Sequence, residues 1–329
     1  MSGSLPAPPY HQPAHHRRNR RYGLALLLAL LLLGLVGVLL WRSALFSSQP
    51  RASSVSAVGS SAGTPAPGHS PSGSSGLPSP YNDGACVVFP PLGANRQATV
   101  FVDPGHGGPD DGANGFTTGG KLIHEEDLTL AVGLKLQPLL QQAGYTVVMS
   151  RVRDTAVPRL GPGDLHGPLF SVQGKDHDLF GRNACANETH ADLLIGVHFN
   201  GFADPSVGGA ETIYCPHRPF SAQSLRLARL VQHDVLGGLR ADGRDIPDRG
   251  VVIDTGQGRP LTNRAYGHLV ELGPASPPWF TDPTMMPGVI VEPLFVTSPA
   301  EADLAVDAGV QEVIARSLER AVEAYFAQT

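Results

Sequence analysis

The stretch of sequence that decides the fold is residues 100–112, VFVDPGHGGPDDG. Its apolar start predicts a buried β-strand, which must end at Asp103-Pro104-Gly105 because proline has no N–H to donate to a neighbouring strand. The glycines on both sides of His106 let the backbone bend closely around whatever that histidine holds. The pattern fits an ordinary loop histidine as well as a metal-binding or catalytic one at the carboxyl edge of a sheet. Its role therefore depends on the rest of the chain.

Alternating strand and helix patterns surround this motif. Short β-rich runs predict strands at residues 98–103, 145–150, 192–198, 210–215, 268–272 and 288–292. Helical periodicity predicts one helix that begins at Glu125 and stops at Gly144, with Pro138 leaving open a kink or an early end, and others at 221–239 and 310–328. The alternation indicates an α/β single domain with a mixed, mostly parallel twisted sheet and helices on both faces.

Two stretches, residues 157–178 and 241–261, fit neither period and are rich in glycine, proline or charge. We expect them to be long loops, which in compact domains commonly line or cover a site. The net charge of −5 gives no basic surface, so nucleic acid is excluded as an expected partner.

The amino-terminal part of the chain has the pattern of a membrane anchor. Residues 23–41 carry no charge and would span about 28 Å as a helix, close to the thickness of a bilayer core. Four arginines precede this run, which predicts a short cytoplasmic segment at 1–22 and export of the rest. A cleaved signal peptide is the alternative, although no clean A-x-A site follows Trp41. Residues 42–84 predict a flexible Ser/Pro/Gly-rich linker, and residues 85–329 predict the folded domain.

The three cysteines are Cys86, Cys185 and Cys215. Outside the cytoplasm they would allow one disulfide and one remaining thiol, and the sequence leaves the pairing open. The absence of a C-x-x-C spacing argues against a structural zinc site.

Four side chains at predicted strand ends or helix starts have metal-competent or acid–base chemistry: His106, Glu125, His198 and Glu292. Two imidazoles and a carboxylate are a common catalytic zinc set, and a further carboxylate would serve as general base. His198 also fits a core histidine, and Glu125, with Glu126 beside it, fits a solvated first-turn residue. Glu292 is harder to explain without a function, because it ends an apolar strand where a carboxylate is costly to bury.

The motifs that hold these residues resemble those of the zinc-dependent N-acetylmuramoyl-L-alanine amidases, the cell-wall amidases called type 3, over about residues 98–326. The matching stretches are VFVDPGHGGPDDGANG, HEEDLTLAVGLKL, DLLIGVHFNG and MPGVIVEPLFVTSPAEADLA. The resemblance implies Zn²⁺ held by His106, Glu125 (rather than Glu126) and His198, with Glu292 as the catalytic base. The expected reaction is hydrolysis of the amide between N-acetylmuramic acid and L-alanine.

The same resemblance suggests residues that support the site. Asp103 would orient a ligand histidine, and Asn200 and Arg182 are further substrate or supporting candidates. The chain departs from the family at Leu294, where a glycine is common, at the I-G-V before His198, where a serine is usual, and in the length of 157–178.

The expected partners are peptidoglycan and, through residues 23–41, the cytoplasmic membrane, with the domain facing the cell wall. Whether a protein activates the enzyme is left open. A cell-wall-binding protein without turnover and a zinc peptidase acting within the stem peptide remain the rival interpretations.

Overall fold

A computed structural model describes residues 79–255 and 266–328 of the chain. Its strands are, in chain order, β1 (Ala85–Phe89), β2 (Thr99–Pro104), β3 (Asn114–Phe116), β4 (Leu122–His124), β5 (Thr146–Arg151), β6 (Leu165–His166), β7 (Leu169–Phe170), β8 (Leu193–Val197), β9 (Ala210–Tyr214), β10 (Asp248–Ile253) and β11 (Gly288–Glu292). Its helices are α1 (Glu125–Gln142), α2 (Val172–Glu188), α3 (Ser221–Ala241), α4 (Pro299–Ala305) and α5 (Ala308–Phe326).

A seven-stranded sheet in the order β1-β5-β2-β8-β11-β9-β10 forms the centre of the domain. The strands β5, β2, β8 and β11 are mutually parallel, and β10 is parallel to β9. Two pairs, β1 with β5 and β9 with β11, are antiparallel. The predicted α/β domain with a mixed, mostly parallel sheet is therefore confirmed.

Helices cover both faces of this sheet, as predicted. Alternate residues of each strand face opposite sides, so Val102 belongs to the core cluster that contains residues of α1, α3 and α5, while Phe101 belongs to the cluster that contains residues of α2. The strands are apolar on both sides because neither face meets water. As a result, polar side chains at the carboxyl ends of the parallel strands gather along one edge of the sheet.

Some local predictions were wrong. Residues 268–272 form turns instead of a strand, because the carbonyl of Leu269 accepts hydrogen bonds from the N–H groups of Leu272 and Gly273. The stretch 241–261, predicted as a loop, contains the edge strand β10, and 157–178 contains the β6–β7 hairpin and the start of α2. Helix α1, by contrast, continues through Pro138 to Gln142, close to the predicted stop at Gly144, so the early end that Pro138 left open does not occur.

A disulfide joins Cys86 of β1 to Cys185 of α2, and Cys215 is a buried thiol. This agrees with the expectation of one disulfide and one leftover thiol. The predicted anchor at residues 23–41 and most of the predicted linker lie outside the described residues. Among the helices that the structure describes, none combines the length and apolar character needed to cross a bilayer.

Candidate metal centre and active site

His106 is held in a strained turn directly after β2. Its φ is 64°, in the left-handed region that a non-glycine residue rarely adopts, and Gly107 follows with φ 113°. The adjacent Gly105 is required sterically, because a Cβ there would lie 2.2 Å from Cε1 of His198. The glycines thus allow two imidazoles to approach each other, with ring centroids 4.8 Å apart.

Glu125 and His198 reach the same point from two other elements. Glu125 is the first residue of α1, and His198 follows β8, whose Val197 pairs with Pro104 of β2. The Oε1 atom of Glu125 lies 3.0 Å from Nε2 of His106 and 3.1 Å from Nδ1 of His198. The ligand atoms of these three residues all lie within 4.8 Å of one another. The structure therefore brings together the three residues predicted as metal ligands.

The electrostatics of this cluster favour a charged carboxylate. Burial opposes ionisation of Glu125, but the imidazoles of His106 and His198 hold its pKa well below its usual range. Burial alone would lower the pKa of His106, whereas the carboxylates of Glu125 and Asp110 raise it to about 10. The carboxylate of Glu125 and the imidazole of His106 thus each stabilise the charged form of the other.

The donor set fits a zinc ion. Two imidazoles and one carboxylate are the protein ligands of many catalytic zinc sites. Nε2 of His106 and Nδ1 of His198 both face Oε1 of Glu125, so each imidazole presents one nitrogen to the point where the carboxylate lies. His106, Glu125 and His198 are therefore the residues that could hold Zn²⁺.

Asp110, which the sequence did not single out, orients His106. Its Oδ2 lies 2.9 Å from Nδ1 of His106, and its Oδ1 lies 3.5 Å from Nζ of Lys175. A carboxylate on the second nitrogen of a ligand histidine fixes the ring and increases its basicity. Its position four residues after His106, within the same glycine-rich turn, was the signal that could have identified it.

Arg182 and Asp103 form a buried support beneath the histidine turn. The guanidinium of Arg182 donates to Oδ1 of Asp103 at 2.7 Å, to Oδ2 of Asp178 at 2.8 Å and to the carbonyl of Pro104 at 3.0 Å. Burial would raise the pKa of Asp103, but Arg182 lowers it below its usual range. Asp103 accepts a hydrogen bond from Arg182. Asp103 therefore supports the backbone of the turn through that arginine.

Glu292 ends β11 beside the strand that carries His198. Val291 pairs with Val197, so Glu292 and His198 leave adjacent parallel strands at the same level, and Glu292 is 7% exposed. On its other side Glu292 pairs with Glu211 of β9, which accepts a 2.8 Å hydrogen bond from Nδ2 of Asn200. Glu292 thus lies at the edge of the sheet that carries the cluster, and Asn200 contacts a neighbouring carboxylate.

A cavity of about 170 Å³ opens at the cluster. His106 and His198 lie on one side of it, Phe170 and Lys175 line it from β7 and α2, and the turn at 268–271 forms another wall. The stretch 157–178, predicted as a site-lining loop, therefore contributes, although as a hairpin and the start of a helix, whereas none of the described residues of 241–261 lines this cavity.

A family model described as N-acetylmuramoyl-L-alanine amidase matches residues 100–324. The chain belongs to this family. The resemblance that the motifs predicted is thus confirmed, and the match spans every element from β2 to most of α5.

Curated relatives of this amidase include enzymes from two bacteria. The germination-specific N-acetylmuramoyl-L-alanine amidase of Bacillus subtilis strain 168 is 28% identical over 229 residues, covering 70% of this chain and 80% of that protein. AmiA of Escherichia coli K12 is 26% identical over 246 residues, covering 70% and 76%. Among solved structures, the CwlD amidase of Clostridioides difficile in complex with the GerS lipoprotein has a TM-score of 0.54 at 22% identity, covering 70% of this chain and 100% of that one. The last likeness shows a shared fold.

Proposed function

We propose that this amidase hydrolyses the amide bond between N-acetylmuramic acid and L-alanine in peptidoglycan, and that it does so with a zinc ion held by His106, Glu125 and His198. The observation that carries the proposal is the convergence of these three side chains on one point, beside a cavity that His106 and His198 line. Family membership supports the choice of bond.

The metal supplies Lewis acidity, which polarises a carbonyl and makes water a better nucleophile near neutral pH. Glu292 accepts the proton of the attacking water and then donates it to the alanine nitrogen as the C–N bond breaks. Without that transfer an amine anion would have to depart. The position of Glu292, level with His198 on the adjacent strand, supports this role.

Other residues of the chain hold this arrangement in place. Asp110 fixes the ring of His106, and Arg182 fixes its backbone carbonyl. The wall at residues 268–271 and the side chain of Phe170 narrow the cavity and restrict how the glycopeptide enters. We further propose that residues 23–41 anchor the chain in the cytoplasmic membrane, so that the domain faces the cell wall.

The test is incubation of the purified full chain with peptidoglycan, followed by analysis of new amino termini. We expect free L-alanine termini and unsubstituted muramic acid, loss of both on chelation, and recovery with added zinc. The Glu292→Gln variant should lose about 10²–10⁴-fold in rate while it keeps its zinc, because only the proton transfer is removed. Glu323→Gln, which changes an exposed carboxylate on α5, is the matched control.

Two outcomes would contradict the proposal. Amino termini from within the stem peptide would indicate a zinc peptidase. Tight binding to peptidoglycan without new termini in any metal condition would indicate a wall-binding protein without turnover.

A further inference from the structure

A second cluster of metal-competent side chains lies at the ends of β9 and β10. These parallel strands pair Tyr214 with Ile253, so the next residues, Cys215 and Asp254, leave the sheet side by side. The N–H of Asp254 donates a 3.0 Å hydrogen bond to the carbonyl of Tyr214, which fixes the two residues at the same level. A thiol and a carboxylate are thereby placed next to each other by the sheet itself.

Two histidines complete this cluster. Nδ1 of His268 lies 3.6 Å from Sγ of Cys215 and 3.0 Å from Oδ2 of Asp254. The ring of His217 packs edge-on against that of His268, with centroids 5.2 Å apart. The ligand atoms of Cys215, His217 and His268 all lie within 4.8 Å of one another.

Hydrogen bonding within the protein accounts for only part of this arrangement. The thiol and the carboxylate approach the same nitrogen of His268, and one N–H can serve only one of them well. The imidazole therefore cannot pass a proton between Cys215 and Asp254, which argues against a cysteine nucleophile with a histidine base. Asp254 is 1% exposed, and its Oδ1 has no hydrogen-bond partner among the described residues. An unsatisfied buried carboxylate oxygen is expensive unless a ligand binds it.

We propose that Cys215, His217, Asp254 and His268 form a second zinc site, separate from the catalytic cluster. Zinc–sulfur and zinc–nitrogen bonds of about 2.3 and 2.0–2.1 Å in a tetrahedron place the two ligand atoms about 3.5 Å apart. The observed separation of 3.6 Å between Sγ and Nδ1 matches that edge. On binding, the thiol proton is released to solvent and His268 stays neutral, since only the deprotonated forms ligate.

The charges of the cluster suit a divalent ion. One thiolate and one carboxylate neutralise Zn²⁺, and two neutral imidazoles complete the set without adding charge. A neighbouring cation among the described residues, Arg218, directs its guanidinium at backbone carbonyls, including that of Gly273 at 2.6 Å. His217 is exposed, which gives the ion a path from solvent, while Cys215 and Asp254 are buried.

This site would act on the catalytic cavity through His268. His268 lines that cavity together with Leu269, Val270 and Glu271, yet it is not one of the three residues proposed to hold the catalytic metal. A zinc ion at the second site would attach this wall to the ends of β9 and β10. We therefore assign it a structural role, in shaping the wall against which the substrate lies, although the cysteine spacing by itself argued against a structural zinc site.

Cobalt substitution of the full chain tests the proposal without relying on activity. Cys86 and Cys185 form the disulfide, so Cys215 is the one thiol in the chain that could ligate cobalt. We expect a sulfur-to-cobalt charge-transfer band in the near ultraviolet, and about two zinc equivalents per chain by elemental analysis. Cys215→Ser should abolish the band and leave about one equivalent, whereas His106→Ala should also leave about one equivalent but keep the band.

Further variants keep the test independent of folding. His217→Ala removes an exposed ligand and should weaken zinc binding at this site by roughly tenfold or more in competition with a chelator. His233→Ala removes an imidazole that is 84% exposed on α3 and should change neither the band nor the zinc count. A wild-type chain that holds about one zinc and shows no thiolate band would overturn the second site while leaving the catalytic one intact.

Discussion

Nη2 of Arg182 donates a 2.6 Å hydrogen bond to the carbonyl oxygen of His106. The same guanidinium forms ion pairs with Asp103 and Asp178, and it is almost completely buried. Helix α2 is thus connected to the backbone of the proposed metal ligand through one side chain. The geometry of the zinc site depends on a residue that has no ligand atom in it.

We expect Arg182→Lys to destabilise the domain and to weaken zinc binding. Lysine keeps the charge but has a single nitrogen, which cannot serve two carboxylates and two carbonyls at once. Leaving a buried carboxylate without its partner costs about 3–5 kcal/mol in free energy of unfolding, measurable by chemical denaturation. The control is Arg153→Lys, since Arg153 forms an exposed pair with Asp83 and should change stability by less than about 1 kcal/mol. Equal effects of the two substitutions would contradict the role of Arg182.

Asp110→Asn should reduce zinc affinity by about 10–100-fold, because the carboxylate that orients His106 is lost. Competition with a chromophoric chelator measures this directly. Asp111→Asn is the matched control, since Asp111 is partly exposed and lies 3.6 Å from His124 rather than at the cluster. An unchanged affinity in Asp110→Asn would show that the ring of His106 is held by other contacts.

Gly105→Ala should abolish both zinc binding and hydrolysis. The added Cβ would lie 2.2 Å from the imidazole of His198, so that ring must leave its position. Gly237→Ala in α3 is the control, because its Cβ would meet nothing within 4 Å and alanine favours helix by up to about 1 kcal/mol. Zinc content of the purified variants is the measurement. A zinc-loaded Gly105→Ala protein would refute the close approach of the two imidazoles.

Glu271→Gln should stabilise the domain increasingly as the pH rises. Burial, and then the carboxylate of Asp103, raise the pKa of Glu271 in the fold above its ordinary value of 4.5. In the wild type, the neutral carboxyl of Glu271 contributes fully to the free energy of unfolding below about pH 4.5. That contribution is lost as the pH rises through the raised pKa. The melting temperatures of variant and wild type should agree near pH 4 and separate towards about pH 8.

The control is Glu323→Gln, which removes one negative charge from the surface. It shows how much the loss of a charge by itself changes the melting temperature. A constant difference between Glu271→Gln and wild type across this range would mean that Glu271 ionises in the fold as it does in the unfolded chain.

Loss of the Cys86–Cys185 disulfide should cost about 2–5 kcal/mol in free energy of unfolding, because it closes a long loop. The two cysteines are 99 residues apart and fully buried. Denaturation with and without reductant measures the effect. In Cys86→Ala/Cys185→Ala the reductant should change nothing; a response there would point to another target of the reagent.

Much of the fold was predictable because its parallel strands are apolar on both faces. Residues 288–292 and 192–198 were identified within one residue of β11 and β8, and Glu125 was identified as the start of α1. Edge strand β10 was missed, since its sequence DRGVVI begins with polar residues and a glycine that edge pairing tolerates. Residues 268–272 alternate like a strand, but the hydrogen bonds to the carbonyl of Leu269 close them into turns.

The candidate site was predictable where a motif and a strand end coincide. His106, Glu125 and His198 meet because β2 and β8 end together and α1 begins opposite them. Supporting contacts were not predictable in the same way. The connection from Arg182 to the carbonyl of His106 joins residues 76 positions apart, and the approach of His268 to Cys215 joins residues 53 apart. No local pattern encodes such pairs, since they depend on tertiary packing.

The left-handed backbone of His106 has a consequence for engineering. A non-glycine residue at φ 64° stores strain of the order of 1 kcal/mol, which glycine at the same position would release. A His106→Gly chain would release that strain, but it would also leave the buried carboxylate of Glu125 without the imidazole that lies 3.0 Å from it. An unpaired buried carboxylate costs about 3–5 kcal/mol, more than the strain that is released, so selection for heat resistance alone would already retain the histidine.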